Sequence, residues 1–370
     1  MAELLKNKYP IDMAKKIAHM ISAVHPKFDG EGFVSQVQQG YEQLELMARA
    51  RHIAAALKIY LPDNYEQSVA ILLASLQSPV EHDQDNSMAS FIFMPHTIYV
   101  EENGLEYFDV SMQALYLLTQ VFTAEFAIRP FIQAYPEQSL RLLTHWAKDP
   151  SQHVRRLVSE GTRTRLPWAS RLPEFIRDPS PVIALLELLK DDEELYVRRS
   201  VANNLNDIGK DHPDLLTEIA RNWLQDADKD REWLVKHGLR SAIKRGELGA
   251  LNVLGYAGEA DVKITQVEIT PLQPKVGDSV QISFALCNQA SQNCALMVDF
   301  AIHFVKANGQ ANPKVFKLKA CELEANQKQL FSKKVSLKPM TTRTLYAGIH
   351  KVSVIVNGQL NPIGEFTLSL

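Results

Sequence analysis

Residues 149–160, DPSQHVRRLVSE, and residues 192–203, DEELYVRRSVAN, repeat one pattern: an acidic start, a Val-Arg-Arg triplet and apolar residues around it. The triplets Val154-Arg155-Arg156 and Val197-Arg198-Arg199 lie 43 residues apart. Arrays of stacked helix pairs repeat every ~40–47 residues, so this spacing predicts two successive repeat units. A weaker third copy, Trp233 to Arg240 (WLVKHGLR), occupies the corresponding helix further on.

Toward the N-terminus, apolar residues recur every three or four positions, as at Met13, Ile17, Met20, Ile21 and Val24. The same spacing runs through Val34–Leu61 up to Pro62, and through Val69, Leu72, Leu73 and Leu76 to a stop at Pro79. That is helical periodicity. Glu81–Asp109 interrupts it with Pro95, Gly104 and aromatic residues, and reads as an ordered excursion before helical spacing resumes at Met112, Leu115, Leu118 and Phe122. Residues 1–257 are therefore expected to form a HEAT-like α-solenoid with one concave face. After Gly255 the period changes to two. Val280, Ile282, Phe284 and Leu286 alternate with polar residues, as do Val298, Phe300, Ile302 and Phe304, and Val352, Val354 and Val356. Such runs, separated by turns such as Val276-Gly277-Asp278, Asn308-Gly309 and Asn357-Gly358, predict an immunoglobulin-like β-sandwich of about seven strands over residues 258–370. The expected fold class is multidomain, α then β, with its boundary near Gly258.

The 370 residues carry 40 Lys+Arg against 43 Asp+Glu, with 46% hydrophobic and 22% charged residues. At roughly 100–200 residues per domain this suits a soluble chain of two or three domains, and it excludes collagen, intrinsic disorder and a disulfide-stapled miniprotein. No apolar run reaches the ~18–20 residues of a membrane span, and no secretory apolar core opens the chain. Cys287, Cys294 and Cys321 form neither a CxxC pair nor an even disulfide framework, so a reducing cytoplasm is the expected compartment. The charge is uneven. Residues 1–140 hold 9 basic and 17 acidic side chains, residues 141–250 hold 19 and 18, and residues 251–370 hold 12 and 8. The first part should repel polyanions, so a nucleic-acid surface is expected further along.

Between Lys148 and Arg171 stand six basic residues and two acidic ones, with Trp168 among them. A helix ending near Gly161 and running into this loop could present Arg155, Arg156, Arg163 and Arg165 to phosphates. Composition alone reads the stretch first as a solvated helix end with an Arg156–Glu160 i,i+4 pair, worth a few tenths of a kcal/mol. Likewise Trp168 could be packed between repeats, Glu125 could pair with Arg129, and Asp207 could simply close a helix. No P-loop, nucleotide fingerprint, nucleophile elbow, HExxH or zinc-deaminase signature occurs, and the 11 histidines show no metal spacing, so neither metal nor cofactor is expected.

Glu125–Pro130 (EFAIRP), Arg155 through Trp168, and Arg198–Ile208 (RRSVANNLNDI) resemble the AlkC branch of the AlkC/AlkD DNA alkylation-repair glycosylases, which joins HEAT-like repeats to a C-terminal immunoglobulin-like domain. The resemblance covers nearly the whole chain. It departs at Thr164, where many relatives are expected to carry Pro, a change of loop stiffness more than of chemistry. It implies a glycosylase of base excision repair that hydrolyses the N-glycosidic bond of cationic N-alkylated bases such as 3-methylcytosine, 1-methyladenine and 3-methyladenine. It also implies a monomer acting in a bacterial-type cytoplasm on double-stranded DNA, with Glu125, Glu160 and Asp207 as catalytic carboxylates.

A cationic base leaves as a neutral molecule and needs no general acid. What remains is to stabilise an oxocarbenium-like sugar and to position water, both tasks for ionised carboxylates. Arg155, Arg156, Arg163, Arg165, Arg199 and Lys210 would hold phosphates around them, and Trp168 would meet the cationic lesion or its sugar through its π face. The β-sandwich would be either a second DNA clamp or a passive stabilising domain. Two other readings stay open: a non-enzymatic HEAT-type scaffold for a protein partner, and a structure-specific DNA-binding protein without catalysis.

Overall fold

The structure, a computed structural model, describes residues 5–76, 89–256, 260–340 and 344–370. The chain divides into two compact units, residues 1–208 and 209–370. In the first unit, twelve α-helices run from Asp12–Val24 to Leu195–Ile208 among the described residues. Local chemistry sets their starts. The Asp29 and Asn64 side chains each accept a hydrogen bond at 2.9 Å from the backbone N–H three residues on, satisfying one of the orphan donors of a helix start. The expected stop at Pro79 lies outside the described residues; the helix Tyr65–Ser75 ends before it. Pro95, read as part of a break, instead stands in the first turn of the helix Met94–Asn103, where its missing N–H costs nothing.

The two sequence copies form the helices Gln152–Gly161 and Leu195–Ile208, which pack against each other. Val197, Val201, Leu205 and Ile208 make one buried stripe, and Val154, Leu157 and Val158 another. The first arginine of each triplet turns back onto the start of its own repeat. Arg155 donates to the carbonyls of Asp149 and Pro150 at 2.9 and 3.0 Å, and Arg198 to those of Asp192 and Glu193 at 2.6 and 2.8 Å. Arg155 also forks onto the Asp192 carboxylate, at 2.6 and 3.0 Å, and so ties one repeat to the next. Expected at phosphate, Arg155 is in fact buried and engaged on every side, because the repeat junction leaves carbonyls that need a donor.

The second unit opens with four helices, Pro213–Trp223, Lys229–Gly238, Arg240–Arg245 and Leu248–Val253. Seven strands follow among the described residues: β1 (Val262–Thr270), β2 (Ser279–Asn288), β3 (Cys294–Val305), β4 (Ala311–Leu323), β5 (Lys328–Ser336), β6 (Gly348–Val356) and β7 (Gln359–Leu368). They form an antiparallel sandwich with sheet orders β1-β2-β5 and β4-β3-β6-β7. The alternating residues Val280, Ile282, Phe284, Leu286, Val298, Phe300, Ile302, Val352 and Val354 all enter its core. Phe284 lies opposite Phe331 in the β2–β5 register, with the rings stacked at 5.5 Å. The expected domain boundary at Gly258 lies outside the described residues. Among the described residues no helix is long and apolar enough to cross a membrane.

Two glycines join helix to sandwich within this unit. Gly246 closes the helix Arg240–Arg245 at φ +76°, and Gly358 shapes the β6–β7 turn at φ +83°. A Cβ on Gly246 would stand 2.8 Å from the Gly358 carbonyl oxygen, and one on Gly358 would stand 2.8 Å from the Gly246 Cα. Left-handed backbone and backbone-to-backbone approach both forbid a side chain here. Gly358→Ala is expected to cost about 2 kcal/mol, read as a lower denaturant midpoint at unchanged m-value; an unchanged midpoint would show that the contact yields freely.

Candidate functional site

Ser200, Asn204 and Asp207 stand at i, i+4 and i+7 on the helix Leu195–Ile208, hence on one face, and all three are buried. Opposite them the helix Gln152–Gly161 ends in Ser159, Glu160 and Gly161, followed by Thr162 and Arg163. A third segment, Thr123-Ala124-Glu125, precedes the helix Arg129–Ala134. Three stretches far apart in sequence thus meet at one end of the repeat seam.

Their charges form an alternating row. Arg156 Nη1 lies 2.6 Å from Glu125 Oε2, and its Nη2 lies 3.7 Å from Glu160 Oε1. Arg163 Nη1 binds Glu160 Oε1 at 2.6 Å, while its Nε and Nη2 both reach Asp207 Oδ2 at 2.8 Å. The Thr123 hydroxyl donates to Glu125 Oε2 at 2.6 Å and accepts from Arg156 at 3.0 Å. Burial works against both guanidinium charges, yet Glu125 and Glu160 hold Arg156, and Glu160 and Asp207 hold Arg163, above the ordinary arginine value. Such pairs are held in fixed geometry because neither partner can turn to water without leaving the other buried and alone.

Glu125 does not pair with Arg129. The Arg129 guanidinium is buried and donates to the carbonyls of Gly161, Arg163 and Ser170 at 2.9, 2.8 and 2.5 Å, closing the helix end and pinning the loop beyond it. Burial, with Arg163 beside it, pulls Arg129 down to about 10. The Arg156–Glu160 contact exists but is the longer of the two salt bridges to Glu160.

Glu125, Arg156, Glu160 and Arg163 line a cavity of about 520 Å³ whose walls include Phe91, Phe122, Phe126, Trp168 and Tyr196. Asp207 does not line it and is only 1% exposed, so it faces the cavity through Arg163. Trp168 is 71% exposed at φ +66°, a left-handed backbone that a bulky residue adopts only when held there. Far from packing between repeats, its indole stands open at the cavity rim. Tyr196 forms another wall, but its ring face is already taken by the Arg156 guanidinium, 5.0 Å away.

Of the other cations expected at DNA, Arg156 and Arg163 are partners of the carboxylates, Arg165 is half-buried and Arg199 is exposed. Lys210 is exposed and belongs to the second unit. Sequence reading missed Thr123, Ser200, Asn204 and Tyr196; the one signal for them was polar residues on the inward face of a repeat helix. Among the described residues no cluster of His, Cys, Asp and Glu could hold a metal ion.

Residues 119–245 match the family model of DNA alkylation repair enzymes, and residues 263–370 match that of the C-terminal Ig-like domain of the uncharacterised protein YhaZ. Over 363 residues the chain is 36% identical to the uncharacterized protein YhaZ of Bacillus subtilis (strain 168), across 98% of each sequence. It superposes on Pseudomonas fluorescens alkylpurine DNA glycosylase AlkC, solved bound to DNA containing an abasic site analog, with a TM-score of 0.92 and 37% identity over 100% of both chains.

Proposed function

Because the chain belongs to the AlkC branch of the DNA alkylation-repair family, we propose that it is a DNA glycosylase that hydrolyses the N-glycosidic bond of cationic N-alkylated bases, 3-methylcytosine, 1-methyladenine and 3-methyladenine among them. The observation that carries this reading is the row Glu125–Arg156–Glu160–Arg163–Asp207, whose first four members face a cavity with an open tryptophan at its rim.

The geometry suits the reaction. Glu160 and Glu125 present fixed negative charge where a sugar would turn oxocarbenium-like, and charge aimed in advance at a developing cation lowers the barrier without reorganisation. Asp207 shares Arg163 with Glu160, so it limits how far that guanidinium neutralises Glu160. Trp168 offers its π face to a positively charged base, a contact worth about 2 kcal/mol when desolvated. Arg165, Arg199 and Lys210 are the candidates for phosphate, with residues 1–257 as the glycosylase domain. Residues 258–370 would add a second DNA surface, for which the exposed Lys314, Lys317 and Lys319 on β4 and Lys328, Lys333 and Lys334 on β5, each an edge strand of its sheet, are suited.

The test is to incubate the protein with duplexes carrying one 3-methylcytosine, 1-methyladenine, 3-methyladenine or 7-methylguanine and to measure abasic sites. Release of the cationic bases is expected; no release from any duplex would sink the enzyme reading. Trp168→Gly separates function from stability. Glycine accepts the left-handed backbone and relieves strain of roughly 1–3 kcal/mol, so the melting temperature should hold or rise, while excision falls by about 30-fold with the lost π contact. Unchanged excision would assign Trp168 no part in lesion recognition.

A further inference from the structure

Both oxygens of the Glu160 carboxylate are held, one by its own repeat and one by the next. Arg163 takes Oε1, and the Ser200 hydroxyl stands 2.5 Å from Oε2. Ser200 also lies 3.0 Å from the Ser159 hydroxyl. A serine carries one proton; the carboxylate is the stronger acceptor, so Ser200 donates to Glu160 and accepts from Ser159. All three side chains are buried.

The repeat itself marks Ser200 as unusual. When DPSQHVRRLVSE is laid on DEELYVRRSVAN, position 200 corresponds to Leu157, an apolar residue buried in the seam. A hydroxyl at an apolar repeat position costs stability unless it finds a partner, and the partner it finds is the carboxylate at the cavity. Asn204, one turn on, donates instead to the Ser159 carbonyl and the Thr162 hydroxyl, at 2.8 and 3.1 Å, and so ties down the helix end from which Glu160 projects.

We infer that Ser200 is a positioning residue for Glu160: it fixes the carboxylate's second oxygen so that the negative charge is aimed into the cavity before DNA binds. This inference rests on the glycosylase reading. It predicts that Ser200→Ala slows single-turnover excision by about 10-fold, the low end of what a hydrogen bond to a charged group is worth, with DNA binding near wild type and the melting temperature lower by only a few degrees. Ser200→Thr, which keeps the hydroxyl, restores most of the rate.

The discriminating measurement is the double variant. On a Glu160→Gln background Ser200→Ala should cost little further rate, because there is no charge left to aim. An equal loss on both backgrounds would reduce Ser200 to a packing residue and overturn the inference. Ser200→Ala at wild-type rate beside a slow Glu160→Gln would overturn it while leaving the glycosylase reading intact. Glu160→Gln at wild-type rate would remove Glu160 from the chemistry, and this inference with it.

Discussion

Glu160→Gln is expected to slow single-turnover excision of 3-methylcytosine by roughly 10²–10³-fold, the usual worth of one preorganised electrostatic group, while DNA binding holds or tightens. The amide matches the carboxylate in shape; its single oxygen can still accept from Arg163, while its NH2 group replaces the other oxygen and can donate to the Ser200 hydroxyl. What it loses is charge. A neutral side chain cannot stabilise an oxocarbenium-like sugar, yet it relieves repulsion toward the phosphates. Asp207→Asn should move in the same direction by a different route. Asp207 reaches the cavity only through Arg163, and once it is neutral the guanidinium is shared with no second anion and cancels Glu160 more fully. Were Glu160 only the i,i+4 partner of Arg156, its replacement would cost a few tenths of a kcal/mol of stability and leave the rate untouched. Single-turnover kinetics beside thermal melts separate the two accounts, and wild-type rates in both variants would make these carboxylates structural.

Arg163→Met is expected to be the most damaging single change to stability in the site, costing about 3–5 kcal/mol. Arg163 is buried and holds both Glu160 and Asp207, so its removal leaves two buried carboxylates without their common partner. For a compact unit the size of residues 1–208 that corresponds to a melting temperature lower by roughly 10 °C. Adding Glu160→Gln and Asp207→Asn to the same chain should recover much of the loss, because the two buried negative charges that Arg163 had balanced then disappear. Arg199→Ala, on an exposed side chain, should stay within about 0.5 kcal/mol of wild type. A melt of Arg163→Met that matches wild type, or no recovery in the triple variant, would show that the row carries no strength of its own.

The fold was legible because its signals are periodic. The 43-residue recurrence of the Val-Arg-Arg triplet and the change of apolar period after Gly255 each involve many residues, and burial imposes the same rule on all of them. The helices Gln152–Gly161 and Leu195–Ile208 and the strands β2, β3 and β6 therefore stand where those patterns put them. Pro95 was misread because a proline stops a helix in its interior and suits its first turn, and the surrounding residues did not say which.

The candidate site residues Glu125, Glu160 and Asp207 could be singled out in the sequence only through family resemblance, since an isolated carboxylate has no period. Their partners could be read only in part: the Arg156–Glu160 i,i+4 contact is present at 3.7 Å, beside a shorter one from Glu160 to Arg163 three residues on. Local rules connect residues three or four apart, and they offered Glu125 to Arg129 and Glu160 to Arg156. Tertiary structure gave Glu125 to Arg156, Arg129 to the carbonyls of Gly161, Arg163 and Ser170, and Asp207 to the Arg163 that also holds Glu160. The Glu160–Ser200 and Arg163–Asp207 contacts span 40 and 44 residues, close to the length of one repeat. The sequence by itself determined that successive helices would stack and which faces would be apolar, because burial of apolar surface is additive along the chain. Which polar groups meet across the seam was decided only when the helices closed on one another, because in a buried space each charge must take whatever partner the packing brings within hydrogen-bond distance.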